Sequence, residues 1–219
     1  DHILDSLLEL TKKGHQVIFA SARPIRDMLP VLREDFHHYP MIGGNGSLIA
    51  KEGKVIQSIA FSPEAIHELT GLIKEFEATY LIDSDWDYAY TGPSDHPILQ
   101  NLDPAKLANR LALDQLSSLV KILILTSNNH EGLAEKLSEL DVYVHKHSDE
   151  EVLDISPKGI HKWSALKRLG VEQGNYIAFG NDANDLTMFE HAGHSVMIGY
   201  HESLAVFAKE SILLQDHIE

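Results

Sequence analysis

The chain has 219 residues, enough for one large domain or two smaller ones with a substantial core. Its 33 acidic side chains outnumber 18 basic ones, and the formal net charge of -15 disfavours binding to nucleic acid or to anionic membrane surfaces. Because cysteine is absent, disulfides and thiolate metal sites are excluded. The sequence contains neither a long apolar run nor a signal-peptide pattern, so we expect a soluble, cytoplasmic protein.

The amino-terminal stretch predicts a helix, a strand and a turn that could bind phosphate. The apolar spacing indicates a helix over residues 3–13, and the run 17–20 predicts a strand buried on both faces. The strand ends at Ser21, whose hydroxyl, together with the guanidinium of Arg23 and backbone amides of the next helix, could hold a phosphate. Ser21 could equally be only a helix cap.

Residues 41–59 predict a strand, a tight turn and a hairpin. A short strand at 41–42 leads into a glycine-rich stretch, and strands at 47–50 and 54–59 follow. Asn45-Gly46 is most economically a turn, so a ligand role for Asn45 is a secondary expectation.

The pattern then changes to that of a small inserted α+β module. A helix is predicted from Ser62 to about residue 78, because Ser62 suits its cap. Strands are predicted at 80–83, 86–90, 120–125 and 142–145, and helices at 104–112 and 129–140. We interpret residues 62–150 as an insertion, because a parallel α/β pattern resumes afterwards.

That later pattern starts with a strand at 152–155 and a helix whose buried stripe runs over 160–169. Lys162 lies beside this stripe near the helix start. A cation there opposes the helix dipole, so an anionic partner is expected, and Lys158 competes for the same role.

An acidic turn follows the predicted strand 176–179. Four of the five residues after Gly180 carry carboxylate or amide oxygens: Asn181, Asp182, Asn184 and Asp185. Ligands bind beyond the carboxyl ends of strands in open α/β sheets, and hard oxygen ligands suit Mg²⁺. The alternative is a plain turn with a helix cap, although one such residue would suffice for that. Strands at 194–199 and 212–214 and a helix at 202–210 complete the chain.

A hydroxyl, a lysine and a metal-binding turn are parts that phosphoryl transfer needs. The order and spacing of three stretches also resemble the haloacid dehalogenase superfamily, and within it the Cof-like phosphatases. Residues 17–24 resemble the second motif of that family, 154–162 the third, and 179–189 the fourth. The resemblance covers essentially the whole chain, and residues 62–150 match a cap inserted between the second and third motifs.

The resemblance implies a Rossmann-like, doubly wound parallel α/β core formed by residues 1–61 and 151–219, with a cap at 62–150. It assigns phosphate binding to Ser21 and Lys162. It assigns Mg²⁺ binding to Asp182 and Asp185, with Asn181 where the family commonly has aspartate. Substrate contacts are expected from Arg23, Asn45 and Asn184.

The first motif of the family carries the nucleophilic aspartate on a strand, and it would lie upstream of residue 1. Asp1 and Asp5 do not follow an apolar strand, so we expect a preceding strand in the natural protein. The expected activity is a magnesium-dependent phosphatase that acts on small phosphorylated metabolites, such as sugar phosphates, through an aspartyl-phosphate. A non-catalytic phospho-ligand-binding module and a phosphomutase are the alternatives. The substrate and the oligomeric state are open.

Overall fold

The computed structural model describes residues 2–146 and 152–213 as a mixed α/β fold with three sheets. The helices are α1 (His2–Lys12), α2 (Ile25–Met28), α3 (Pro63–Glu75), α4 (His130–Ser138), α5 (Lys162–Arg168), α6 (Leu186–His191) and α7 (Glu202–Ala205). The strands are β1 (Phe19–Ala20), β2 (Met41–Gly43), β3 (Leu48–Lys51), β4 (Lys54–Ser58), β5 (Thr79–Asp83), β6 (Tyr88–Tyr90), β7 (Lys121–Thr126), β8 (Val142–Lys146), β9 (Leu153–Pro157), β10 (Ile177–Gly180), β11 (His194–Ile198) and β12 (Glu210–Ile212). Within these residues no helix has the length and apolar character to cross a membrane.

The parallel strands form two separate sheets. β1 pairs in parallel with β2, which continues into the antiparallel hairpin of β3 and β4, and β10, β11 and β12 form a second, all-parallel sheet. A groove of about 170 Å³ lies between β1 and β10 and is floored by side chains of α5 and α6. β1 is shorter than predicted and only half-buried, because it borders this groove on one side. On β10, Ile177 and Phe179 are 61% and 54% exposed.

Strands β5 to β9 form an antiparallel sheet in the order β6-β5-β7-β9-β8, which we call the cap sheet. α3 and α4 cover one face of it, and Ala65 N donates to the side chain of Ser62 at 3.2 Å, which confirms the predicted cap. β9 belongs to this sheet, between β7 and β8. The strand predicted at 152–155 is therefore present, but its assignment to the parallel core is wrong because its backbone pairs are antiparallel. The domain limits themselves stay a prediction.

The helix predicted over residues 104–112 is wrong. Asp103 captures the backbone of this stretch, since its carboxylate accepts from Leu107 N at 2.7 Å and from Ala108 N at 3.1 Å. Further along, Leu111 N donates to the carbonyl of Tyr88 in β6. Amides that a helix would use internally are bound elsewhere. The helix predicted at 202–210 is likewise shorter: α7 ends at Ala205, Lys209 N donates to the carbonyl of Ser195 at 3.0 Å, and β12 begins at Glu210.

α5 packs against both parallel sheets. One buried cluster joins its residues to β2, β3, β10 and β11: Ile42, Ile49, Trp163, Leu166, Ala178 and Met197. The turn before β3 approaches the start of α5 closely, because a Cβ on Gly46 would lie 2.6 Å from the carbonyl oxygen of His161. Gly46 has a φ of +116° and the preceding Asn45 a φ of 58°, which confirms the predicted turn.

Candidate active site

The stretch after β1 forms a compact turn. Ser21 N donates to the carbonyl of Ile42 at 2.9 Å, and Ser21 Oγ accepts from Arg23 N at 3.1 Å. The serine hydroxyl therefore fixes the turn and keeps its own hydrogen available for an acceptor. Arg23 is exposed and forms no ion pair with the part of the chain that the structure describes. A half-buried hydroxyl next to an exposed guanidinium is suited to an anion.

Residues 43–46 hold this turn in place through backbone hydrogen bonds. Gly44 N donates to the carbonyl of Arg23 at 2.9 Å, and Asn45 N donates to the carbonyl of Ser21 at 3.2 Å. A side chain on Gly43 would meet the carbonyl oxygen of Arg23 at 3.0 Å, so the two backbones need a glycine there. The position of Ser21 thus depends on the glycine-rich stretch as well as on β1.

Lys162 is the first residue of α5 and is only 4% exposed. Its Nζ donates to Asn184 Oδ1 and to Asp185 Oδ1, both at 2.5 Å. A buried ammonium with two oxygen partners is a fixed charge, since leaving it unpaired would be costly. Lys158, its competitor in the sequence, instead forms an exposed ion pair with Asp141 at 2.6 Å.

The acidic turn folds around Asp185. Its Oδ2 accepts from Asn181 N at 2.9 Å and from Asp182 N at 3.3 Å, while its Oδ1 binds Lys162. A Cβ on Gly180 would lie 2.6 Å from the Asp185 carboxylate, which explains the glycine. Asp182 caps the short helical turn by accepting from Ala183 N at 2.6 Å. The structure brings Lys162 and three of the predicted turn residues, Asp182, Asn184 and Asp185, into one constellation.

The fit of this constellation to Mg²⁺ is partial. The Asp182 side chain is 35% exposed and Asn181 is also exposed, so their oxygens are accessible to a cation. Asp185 is buried and already bound by an ammonium and two amides. Over residues 2–146 and 152–213 there is no group of three or more His, Cys, Asp or Glu side chains that could hold a metal. Asp182 and Asn181 are thus the accessible oxygen donors of the turn.

A buried polar network, absent from the sequence-based expectations, joins the cap sheet to the Ser21 turn. Lys121 Nζ donates to the carbonyl of Ala22 at 2.8 Å and lies 3.1 Å from Asp154 Oδ2. Asn45, expected to contact substrate, is fully buried and donates from Nδ2 to the same carboxylate oxygen at 3.0 Å. Lys121 and Asp154 are charged residues inside otherwise apolar strands, and that was the signal available in the sequence.

A second buried cluster, also missed, connects α2 to the cap. Arg26 is 1% exposed, and its guanidinium binds Asp83 at 2.5 Å and Asp27 at 3.2 Å. Asp27 Oδ1 also accepts from Asp103 N at 2.9 Å. Burial raises the pKa of the Asp27 carboxyl above its ordinary value, although the Arg26 charge opposes the rise.

Comparison with known proteins gives a family match over residues 1–206, to the haloacid dehalogenase-like hydrolases. The chain is 27% identical over 203 residues to a Bacillus subtilis protein named "Putative phosphatase YkrA". The match covers 89% of this chain and 77% of YkrA. It is 24% identical over 211 residues to the HMP-PP phosphatase of Serratia proteamaculans, covering 88% of this chain and 74% of that protein.

Solved structures share the fold. The sugar phosphatase BT4131, of haloacid dehalogenase subclass IIB, superimposes with a TM-score of 0.77 and 16% sequence identity. The match covers 96% of this chain and 84% of BT4131. The family match spans the three stretches that resemble the second, third and fourth motifs, and residues 62–150 between them. The protein belongs to the haloacid dehalogenase-like hydrolase family and is a phosphoric monoester hydrolase.

Proposed function

We propose that the protein hydrolyses small phosphorylated metabolites through an aspartyl-phosphate, with Mg²⁺ as cofactor. The observation that carries the proposal is the fixed pair of Lys162 and Asp185 beside the accessible Asp182, at the turn after β10. This turn packs near the start of α5, and α5 in turn contacts the glycine-rich turn that supports Ser21. Donors for a phosphoryl group and oxygens for a cation are thereby held by one framework.

The roles follow from these contacts. The Ser21 hydroxyl and the Arg23 guanidinium donate to phosphoryl oxygens, and Lys162 opposes the negative charge that develops on them. Asp185 positions Lys162, and Asn184 holds the ammonium from the other side, next to the substrate. Asp182 and Asn181 are the groups of this chain that would hold Mg²⁺, together with phosphate oxygen, water and a further carboxylate. The cation would add positive charge at the transferred group.

The nucleophile is proposed to come from a strand that precedes α1 and lies in the groove between β1 and β10. The support is the groove itself, about 170 Å³ and mostly apolar, with Ile18 and Ala20 on one side and Ile177 and Phe179 on the other. β1 pairs only with β2, and β10 only with β11, among the described strands. A strand there would cover the exposed Ile177 and Phe179 and pair both free edges. The carboxylate at its end attacks phosphorus while the ester oxygen leaves and takes a proton from an acid or from water. Water then attacks the phosphorus of the aspartyl-phosphate, which restores the carboxylate and releases inorganic phosphate.

The test is phosphate release by the natural chain from a panel of small phosphoesters, with Mg²⁺ or with excess EDTA. We expect release that requires the cation and that is lost when the upstream aspartate is changed to asparagine. Binding of phosphoesters without release, by a folded natural chain, would overturn the proposal in favour of a binding module. Formation of an isomeric ester in place of inorganic phosphate would favour a phosphomutase.

We also propose a cellular location and a class of binding partner for the enzyme. The net charge of -15 and the absence of cysteine support a reducing, cytoplasmic location and a small phosphorylated substrate rather than nucleic acid or membrane. Fractionation of the source cells, with activity followed in the soluble and membrane fractions, tests the location.

A further inference from the structure

A cavity of about 610 Å³ lies between the cap sheet and the start of α2. It opens beside the phosphate turn, because Ala22, Arg23 and Pro24 form part of its lining. Cavities of this size hold small organic ligands. If the phosphoryl group binds at Ser21 and Arg23, as proposed above, the rest of the substrate lies in this cavity. The inference below rests on that proposed function and concerns which leaving groups the cavity admits.

The cap wall of the cavity is one face of the antiparallel sheet. Alternate residues of β5 and β7, and Val152 and Asp154 around β9, point to it: Leu81, Asp83, Lys121, Leu123, Leu125, Val152 and Asp154. The register places Asp83 opposite Lys121 and Leu81 opposite Leu123. The wall is therefore polar at one end and apolar at the other.

The polar end is the one next to the phosphate turn. Lys121 reaches the carbonyl of Ala22 at 2.8 Å, whereas Leu81 and Leu125 belong to an apolar cluster together with Ile98 and Leu102. A ligand that extends from the turn thus meets charged groups first and aliphatic side chains afterwards.

The charges at this polar end do not leave a site for a second anion. Three carboxylates, Asp27, Asp83 and Asp154, line the cavity. Two buried cations pair with them, Arg26 with Asp27 and Asp83, and Lys121 with Asp154. These five side chains are at most 6% exposed, so solvent screens them weakly. The remaining cation of the lining, Arg23, faces the phosphoryl group in the proposed function, and the other five charged side chains, counted within the part of the chain that the structure describes, then sum to a negative formal charge.

We propose that the cavity selects phosphomonoesters whose leaving group is uncharged, with hydroxyl groups near the phosphorus and an apolar side further away, and that Asp154 and Lys121 determine this selectivity. Their oxygens and ammonium can bond hydroxyls of the ligand, and the leucines cover its carbon-hydrogen surface. A leaving group that carries a carboxylate or a second phosphate meets buried negative charge at close range, which costs binding energy.

The test compares glycerol 3-phosphate with 3-phosphoglycerate, which differ in a hydroxymethyl group and a carboxylate. Acetyl phosphate, too small to fill the cavity, reports the phosphatase reaction itself. With the natural chain and Mg²⁺, we expect kcat/KM for glycerol 3-phosphate to exceed that for 3-phosphoglycerate by about tenfold or more. Equal or reversed values, with acetyl phosphate hydrolysed, overturn the selectivity while the proposed function stands. Failure to hydrolyse acetyl phosphate overturns both.

Substitutions in the cavity test the role assigned to Asp154. Asp154→Asn removes one buried negative charge at nearly constant shape, so we expect the preference for the uncharged ester to fall by about tenfold. Asp27→Asn, from the other wall, should shift the preference in the same direction and serves if Asp154→Asn does not fold. Asp141→Asn is the matched control, because Asp141 is 71% exposed and pairs with Lys158 on the surface. An unchanged preference in folded Asp154→Asn, or in Asp27→Asn where only that variant folds, would refute the assignment.

Discussion

Lys162 carries a buried positive charge whose two partners are both side chains of the acidic turn. Replacing it with methionine keeps the length of the side chain and removes the charge. We expect kcat of the natural enzyme to fall by about 100-fold, because the charge that develops on the phosphoryl group loses a fixed cation. Phosphate release at saturating substrate measures the effect.

Lys158→Met is the control for this prediction. Lys158 lies four residues earlier and is paired on the surface, with its side chain 71% exposed. Its replacement should leave kcat within about twofold, since surface pairs contribute little. If both variants fold and show the same kcat, Lys162 has no part in the reaction.

Gly46 tests how closely the turn before β3 approaches α5. Gly46→Ala would place a methyl group 2.6 Å from the His161 carbonyl oxygen at a φ of +116°. We expect a loss of about 2 to 4 kcal/mol in the free energy of unfolding. Gly170→Ala is the matched variant, because Gly170 has a φ of +83° and open space around its Cβ position. It should cost only about 1 kcal/mol, from the backbone conformation alone. Urea unfolding of both variants decides, and equal losses would contradict the close approach.

The residues of the site divide into those that sequence reasoning can reach and those that it cannot. Ser21, Lys162 and the acidic turn follow strands or begin helices, so local pattern predicts their places. Lys121 and Asp154 stand out in the sequence as charges in apolar stretches, but their contact depends on β7 and β9 being neighbours, and the sequence does not show which distant strands pair. Arg26 is similar, since its main partner Asp83 lies in the cap.

At the scale of elements, α5 begins at a histidine cap. His161 Nδ1 accepts from Ser164 N at 3.2 Å, which requires that nitrogen to be unprotonated. Burial lowers the pKa of His161 below its ordinary value, and the charges of Lys167 and His191 lower it further. The unfolded chain therefore binds this proton more readily than the folded chain does. The stability that the neutral cap contributes is complete above the ordinary histidine pKa and is lost as the pH falls through the lowered value.

His161→Asn tests this pH dependence. Asparagine can cap the helix without titrating. We expect the wild-type free energy of unfolding to decline more steeply than that of the variant as the pH falls below about 6.5, the ordinary histidine pKa, when both are measured by urea unfolding. Identical slopes would show that the cap does not titrate in this range.

Elements were predictable where their own residues bind one another. α3 and α4 have side-chain caps and apolar stripes, and both were predicted close to their observed limits. The stretch 104–112 lacks a helix because Asp103 binds the amides of Leu107 and Ala108. The strand β9 belongs to the cap sheet because it pairs with β7 and β8. In both cases the decisive contact lies outside the segment.

At the scale of the whole molecule, Arg26 connects helix α2 to the cap sheet. Its guanidinium binds Asp83 and the carbonyl of Trp86 and lies 4.8 Å from the ring centre of Tyr88. Arg26→Met would leave the Asp83 and Asp27 carboxylates buried without their cation. We expect a loss of about 3 to 5 kcal/mol in the free energy of unfolding.

Arg33→Met provides the comparison. Arg33 is 41% exposed and pairs with Asp5 and Asp35 at the surface. Its removal should cost less than about 1 kcal/mol. Urea unfolding measures both variants, and a small effect of Arg26→Met would show that the cluster does not hold cap and core together.

Along the sequence, the strands of the cap sheet lie between the strands of the other two sheets, and this order has a consequence for folding. The cap sheet pairs strands from within residues 79–157, so its contact order is lower than that of the cluster joining Ile42 to Ala178. Closing the longer loop, between Ile42 and Ala178, costs more chain entropy. The favourable contacts of the cluster form only after that loop has closed. During refolding of a Trp86→Phe variant, in which Trp163 is the remaining tryptophan, we expect amides of β5 and β7 to gain protection from hydrogen exchange before the fluorescence of Trp163, a member of that cluster, reaches its native value. Simultaneous changes would show a single concerted step.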